Sequence, residues 1–286
     1  MLTVWQAIFL GFLQGFSELF PISSLGHLII IKGLLHWNFS FSDQHFLPFV
    51  VALHLATAIA LIIYFWKQWL QVFMAYIGSV QRMKLVYDDD SKLAWLLVAG
   101  TLVIVPIGFL FEKKIRLFFE DPRYYWMVAG FLIINGLLML LGDYVKNLAV
   151  KRAAQQQEKR AEDLSFINGI LVGASQSLAF LPGISRSGAT IVAGVIAGLS
   201  YEQACRFGFM LATPAILAAS VLELPKLFRP EARTMLHLTM IGALTAGVTA
   251  YLSTIFLMKY FQTRKLTPFA VYCVLAGIIA MVLLRP

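Results

Sequence analysis

Apolar residues run through this chain in long blocks instead of alternating with polar ones. Six blocks, about Phe46–Trp66, Leu93–Phe111, Tyr124–Gly142, Tyr201–Leu222, Leu236–Met258 and Pro268–Leu284, are bounded by charge or by Trp and Tyr. A helix of about 20 apolar residues crosses bilayer hydrocarbon, and aromatic side chains collect at its two boundaries, so the blocks predict six transmembrane helices. Barrel strands would alternate polar and apolar positions, which excludes a membrane barrel. Two further apolar stretches are interrupted. The stretch from Leu2 to about Phe20 breaks at Pro21-Ile22-Ser23-Ser24, and Leu25–Leu35 beyond it is about half the length needed to cross. Phe166–Leu181 and Gly188–Leu199 flank Pro182 in the same way. Each is expected to form a re-entrant helical hairpin whose turn is buried in protein or lines a wet cavity, because hydrocarbon cannot satisfy free backbone polar groups.

The two breaks are copies of one another. Gln14 aligns with Gln176, Pro21 with Pro182, and Ser23-Ser24-Leu25-Gly26 with Ser185-Arg186-Ser187-Gly188, with a single-residue gap on each side of the proline. The expected fold is therefore an all-α polytopic membrane protein of two repeats, residues 1–142 and 164–286, joined by the polar tract 143–163 as a linker. Each repeat holds one hairpin and three crossings. An odd number of crossings turns the second repeat upside down, so the hairpins enter from opposite faces and meet at mid-membrane.

Composition agrees with this pattern, with 59% hydrophobic and 13% charged residues. The formal charge of +8 is spread over short loops between apolar blocks, which argues for membrane topology and against nucleic acid. Twelve Lys and Arg fall in 67–92, 143–163 and 259–265, which share one side of the membrane in this arrangement; nine fall opposite. The richer side is expected in the cytoplasm and both termini outside. With no cationic leader ahead of Leu2, the first helix is expected to stay in the mature chain. Asn38–Gln44 and Lys67–Lys92 are read as polar loops, the latter carrying Asp88, Asp89 and Asp90 without an EF-hand pattern. Cys205 and Cys273 have no metal-type spacing and are read as small buried side chains.

Candidate chemistry lies at the two breaks. A charged side chain at membrane depth costs about 2.5–3.5 kcal/mol on insertion scales, so Glu18 and Arg186 mark a functional site. Gln14 and Glu18 are four apart and share a helix face aimed at the Ser23-Ser24 turn. Ser24 and His27 fall in the first turn of the short helix, where free N–H groups favour an anion such as phosphate. The second break offers Arg186, a natural partner for phosphate, among Ser185, Ser187 and Thr190, with Gly183 and Gly188 allowing close backbone approach. His54, Asn135 and Glu223 read as structural or interfacial, and Arg206 as the local partner of Glu202.

The segments Gln14–Glu18, Pro21–His27 and Pro182–Thr190 closely resemble the signature motifs of the bacterial undecaprenyl-diphosphatase family, also called bacitracin-resistance proteins. The likeness extends over the whole chain. It implies a phosphatase of the bacterial inner membrane that converts undecaprenyl diphosphate to the monophosphate, renewing the lipid carrier of peptidoglycan synthesis with a divalent cation, Mg or Ca. By that resemblance Glu18 holds the cation or acts as base with Gln14 beside it. Many members carry Glu at the position of Gln14, which here brings no charge, so the diphosphate must supply more of the cation's ligands. Arg186, with Ser185, Ser187, Gly188, Thr190 and their N–H groups, would clamp the diphosphate. Ser23 flanks Ser24, the candidate nucleophile or orienting hydroxyl, and His27 is the candidate acid, base or alternative nucleophile. The headgroup is expected to arrive from the external face, its prenyl chain in the bilayer, and a homodimer is compatible with the architecture. The rival class is a polyprenyl-phosphate transporter or flippase, since inverted repeats with broken helices also build transporters.

Overall fold

A computed structural model describes residues 2–37, 39, 46–152, 159–228 and 233–285. Among these residues the chain is nearly all helical, with one isolated bridge between Lys159 and Leu199. Helices α1 (Val4–Ser17) and α2 (Ser24–Leu34) form the first broken pair. They are followed by α3 (Phe46–Tyr64), α4 (Trp66–Gln81), α5 (Asp89–Phe118) and α6 (Tyr125–Arg152). The second broken pair is α7 (Phe166–Ser175) and α8 (Arg186–Ile196), with a 3-10 turn at Gln176–Phe180 between them. Helices α9 (Tyr201–Glu223), α10 (Arg233–Tyr260) and α11 (Thr267–Leu283) complete the chain.

Five of these helices, α3, α5, α6, α9 and α10, are long and apolar enough to cross a membrane, as a polytopic membrane protein requires. The sixth expected span, α11, is apolar but only 17 residues long. Two expectations change. Lys67–Lys92 is not a loop throughout, because α4 occupies Trp66–Gln81 as an amphipathic helix that buries Val72, Ala75 and Ser79. The tract 143–163 is not a free linker from its start, since α6 runs on to Arg152. Asp143 is buried within it and accepts hydrogen bonds from Tyr201 Oη (2.7 Å), Thr267 Oγ1 (2.6 Å) and the Leu266 N–H (3.2 Å), tying α6 to α9 and α11. Of the acidic run, Asp88 caps α5, and Asp89 and Asp90 fill its first turn, where the helix dipole favours them. The expected loop Asn38–Gln44 lies outside the described residues apart from Phe39.

Small residues set how closely the helices approach. A Cβ on Gly11 would stand 2.3 Å from the Gly242 carbonyl, and one on Gly173 would stand 2.3 Å from Gly100 Cα, so α1 lies against α10 and α7 against α5. Gly136 likewise brings α6 close to α11, where a Cβ would stand 2.7 Å from the Ala270 carbonyl oxygen. Such contacts are the usual way helices associate in lipid, where hydrocarbon burial alone gives no drive. Between them a core that includes Phe49, Leu61, Leu96, Leu132, Phe207 and Phe209 fills the interior, and α6 packs against both α2 and α8, with α9 also against α8.

Candidate active site

Each break is built by its own residues. Helix α1 ends at Ser17 with Glu18 as its last helical cap, and Pro21, which has no N–H to donate, prevents a further turn. Ser23 takes a left-handed backbone with φ of 71°, which a non-glycine residue adopts only when its surroundings hold it. Its Oγ provides that hold, accepting the Gly26 N–H at 3.3 Å as a cap on α2 and the Gly183 N–H at 3.2 Å from the other break. In the second break Gly183 has φ of +108°, and Ser185 caps α8 by accepting the Gly188 N–H at 3.1 Å. The two turns touch directly: a Cβ on Gly26 would lie 2.7 Å from Gly183 Cα. Ser187 Oγ donates to the Glu18 carbonyl at 3.1 Å and shares a hydrogen with Ser185 Oγ at 3.0 Å.

This contact carries Arg186 to Glu18. The guanidinium forms an ion pair with Glu18 Oε1. The other carboxylate oxygen receives Ser24 Oγ at 2.5 Å and Gln14 Nε2 at 3.2 Å, and His54 Nε2 lies 3.3 Å from it. Gln14, Glu18 and Ser24 are buried, while the Arg186 side chain is 18% exposed and that of His54 23%. Both open onto a cavity of about 230 Å³. Its lining includes Glu18, Ser24, His54, Gln176, Ser185 and Arg186 as polar members and Val50, Val51, Ile104, Phe180 and Ile216, from four parts of the chain, as apolar ones. A mostly apolar lining with a fixed cation and a few polar groups suits an anionic head on a hydrocarbon tail.

The structure brings together Gln14, Glu18, Ser24 and Arg186, with Ser23, Ser185, Ser187 and Gly188 in the turns that hold them. It does not bring His27 or Thr190 to the cavity wall. Nδ1 of His27 bonds the Ser23 carbonyl at 2.8 Å, and its Nε2 bonds Tyr272 Oη at 2.8 Å. Thr190 Oγ1 donates back to the carbonyls of Arg186 (3.1 Å) and Ser187 (3.0 Å), and Gly208 of α9 packs over it. Arg206 pairs with Glu162 at 2.6 Å instead of Glu202, because the chain after α6 folds back onto α9. Glu223 pairs locally with Lys226 at 2.7 Å.

Residue-by-residue reading missed His54. The signal was its spacing: Leu47, Val50, Val51 and His54 stand at i, i+3, i+4 and i+7 on α3, and all four line the cavity. A divalent cation fits this donor set only in part. Glu18 and Gln14 offer hard oxygen ligands, but Mg²⁺ takes six and Ca²⁺ six to eight. Among the described residues no cluster of three His, Cys, Asp or Glu stands ready to hold a metal.

A family model described as bacitracin resistance protein BacA matches residues 7–279. The undecaprenyl-diphosphatase of Mycolicibacterium paratuberculosis is 40% identical to this chain over 95% of its length and 94% of the relative's. Undecaprenyl-diphosphatase 2 of Burkholderia orbicola is 42% identical, covering 98% and 96%, and undecaprenyl-diphosphatase 2 of Chromobacterium violaceum is 42% identical, covering 96% and 97%. A match that spans both breaks and nearly the whole chain means that this protein belongs to the bacitracin resistance protein BacA family.

Proposed function

We propose that the chain is a membrane hydrolase that removes the terminal phosphate of undecaprenyl diphosphate and leaves the monophosphate carrier for peptidoglycan and other envelope polymers. The observation that carries this reading is the meeting of Glu18, Ser24 and Arg186 in the lining of a cavity otherwise rich in apolar side chains. In it the diphosphate draws Arg186 from Glu18 and takes the guanidinium as its own counter-charge, as charged donors stabilise a transferring phosphoryl group. Released from that pair, Glu18 accepts the Ser24 Oγ proton across the contact it already makes. Ser24 attacks the terminal phosphorus, the bridging oxygen leaves with the prenyl monophosphate, and water later frees the phosphate from the serine. His54 Nε2 stands beside the same carboxylate and lines the cavity. His27 steadies the Ser23 carbonyl and so the turn that aims Ser24.

Glu18 and Gln14 are the residues that would hold a divalent cation, Mg or Ca, the remaining ligands coming from the diphosphate and water. When bound, such an ion neutralises charge on the phosphoryl oxygens. The reading includes inverted repeats. The pairing of α1 on α10 alongside α7 on α5, with α6 on α11 and α3 on α9, supports it, since a pseudo-twofold exchanges those pairs. It also places the protein in the inner membrane with both termini and the cavity mouth outside, in keeping with the loop charges. A transporter needs an anion site but no hydroxyl bonded to a carboxylate, so Ser24 and Glu18 favour hydrolysis over the flippase alternative.

Detergent-purified protein incubated with undecaprenyl diphosphate tests the reading. Wild type is expected to release phosphate and leave undecaprenyl phosphate, and Glu18→Ala and Arg186→Ala each to lose the activity. Undiminished release by both variants would dismantle the assignment.

A further inference from the structure

We infer that Asn135, which belongs to neither hairpin, is a positioning residue for this reaction: it clips the two turns together in the register that lets Glu18 meet Arg186. The inference rests on the hydrolase reading above. Asn135 lies in α6 and is 1% exposed. Its Nδ2 donates to the Pro21 carbonyl at 2.8 Å, and its Oδ1 accepts the Ser185 N–H at 3.0 Å. A carbonyl on one side and an N–H on the other leave only one orientation for the amide.

Those partners are backbone groups of non-helical turns at membrane depth, where there is no bulk water to replace a lost bond. They also sit next to the chemistry. Pro21 follows Glu18 by three residues, and Ser185 directly precedes Arg186. One flat amide that donates and accepts at once can join the two, whereas a carboxylate offers acceptors only. The amide is seated from both sides. Cys273 Sγ of α11 lies 3.5 Å from Nδ2, and Gly188 leaves room on the other flank, where a Cβ would stand 3.2 Å from Oδ1. Ser23 and Ser187 also cross between the turns, but each of them is itself part of a turn. Asn135 is anchored in a membrane-spanning helix, so it fixes both turns against the body of the protein.

Asn135→Asp and Asn135→Ala test this. Aspartate keeps the shape and the acceptor for Ser185 but faces the Pro21 carbonyl with a second acceptor, and alanine removes both bonds. Phosphate release from undecaprenyl diphosphate is expected to fall about 10- to 100-fold in kcat, because a small misplacement of reacting groups costs that much, while KM, to which the apolar lining residues contribute, stays within about threefold. The folded fraction is followed by size-exclusion elution and tryptophan fluorescence. A folded variant with wild-type kcat, a loss confined to KM, or activity falling only in proportion to the folded fraction overturns the proposal. If wild type itself releases no phosphate, the hydrolase reading fails, and amide exchange at the Ser185 N–H decides the clip separately. Exchange about tenfold faster in the variants upholds it, and unchanged exchange overturns it.

Discussion

Glu18 gathers Arg186 on one oxygen and Ser24, Gln14 and His54 around the other, so each neighbour has its own measurable consequence. Ser24→Ala removes the proposed nucleophile while leaving the ion pair, and phosphate release is expected to drop by about 1,000-fold or more. Acid-quenched wild type is expected to carry phosphate on Ser24 by mass spectrometry; phosphate release with no phosphoserine at any quench time would contradict the covalent route. Gln14→Glu would put a second carboxylate beside the first. The Mg²⁺ concentration giving half-maximal activity is expected to fall about tenfold, since affinity for hard cations follows ligand charge. Glu18 and Arg186 were legible in the sequence because ionisable groups inside apolar helices are costly and therefore conspicuous, and Ser24 because it opens the short helix after the Pro21 break. His54 was less so, being one polar residue in a long apolar helix, and its meaning depended on where α3 faces. For Thr190 and His27 the residue type was legible but not the direction: the threonine hydroxyl turns back to its own helix and the imidazole turns to Tyr272.

Short helices broken at Pro21 and Pro182 show why a turn, and not a span, makes the site. A turn frees N–H groups and serines to contact another turn, provided that the two backbones can come close. Gly26→Ala therefore tests the contact sharply, because its Cβ would lie 2.7 Å from backbone atoms of Gly183 that cannot swing aside. Overpacking of this kind costs about 1–3 kcal/mol, and it should separate the turns and remove most activity. Gly247→Ala is the matched control. Its nearest neighbour would be the Ala56 carbonyl oxygen at 3.6 Å, and activity should stay within about twofold, as distant surface-like changes do. Both breaks could be read from Pro, Ser and Gly punctuation. Helix α4 could not, because a search for long apolar blocks passes over a 16-residue amphipathic helix carrying Lys67, Gln68 and Gln71. The helical start of the tract after Gly142 was hidden for a similar reason. Its polar residues looked like a linker, and only the folded chain reveals that Asp143 is buried among Tyr201, Leu266 and Thr267.

At the scale of the whole molecule, Glu18 from the first broken pair and Arg186 from the second meet at one place in the chain. Orientation is testable by thiol labelling in a background lacking Cys205 and Cys273. Lys114→Cys, exposed beyond α5's membrane segment, should react with a membrane-impermeant maleimide in intact cells, and Lys84→Cys, exposed after α4, only after permeabilisation. The reverse pattern would invert the topology. The central claim, that the two halves make one reactive centre, is tested most directly by a double-mutant cycle on phosphate release from undecaprenyl diphosphate with Glu18→Gln, Arg186→Gln and both together. Groups that act as a unit are strongly non-additive. Each single change is expected to lower kcat/KM by about 1,000-fold and the double change to cost no more than about tenfold beyond the worse single. A double variant whose loss equals the product of the two single losses would mean that Glu18 and Arg186 act independently, and would contradict the account.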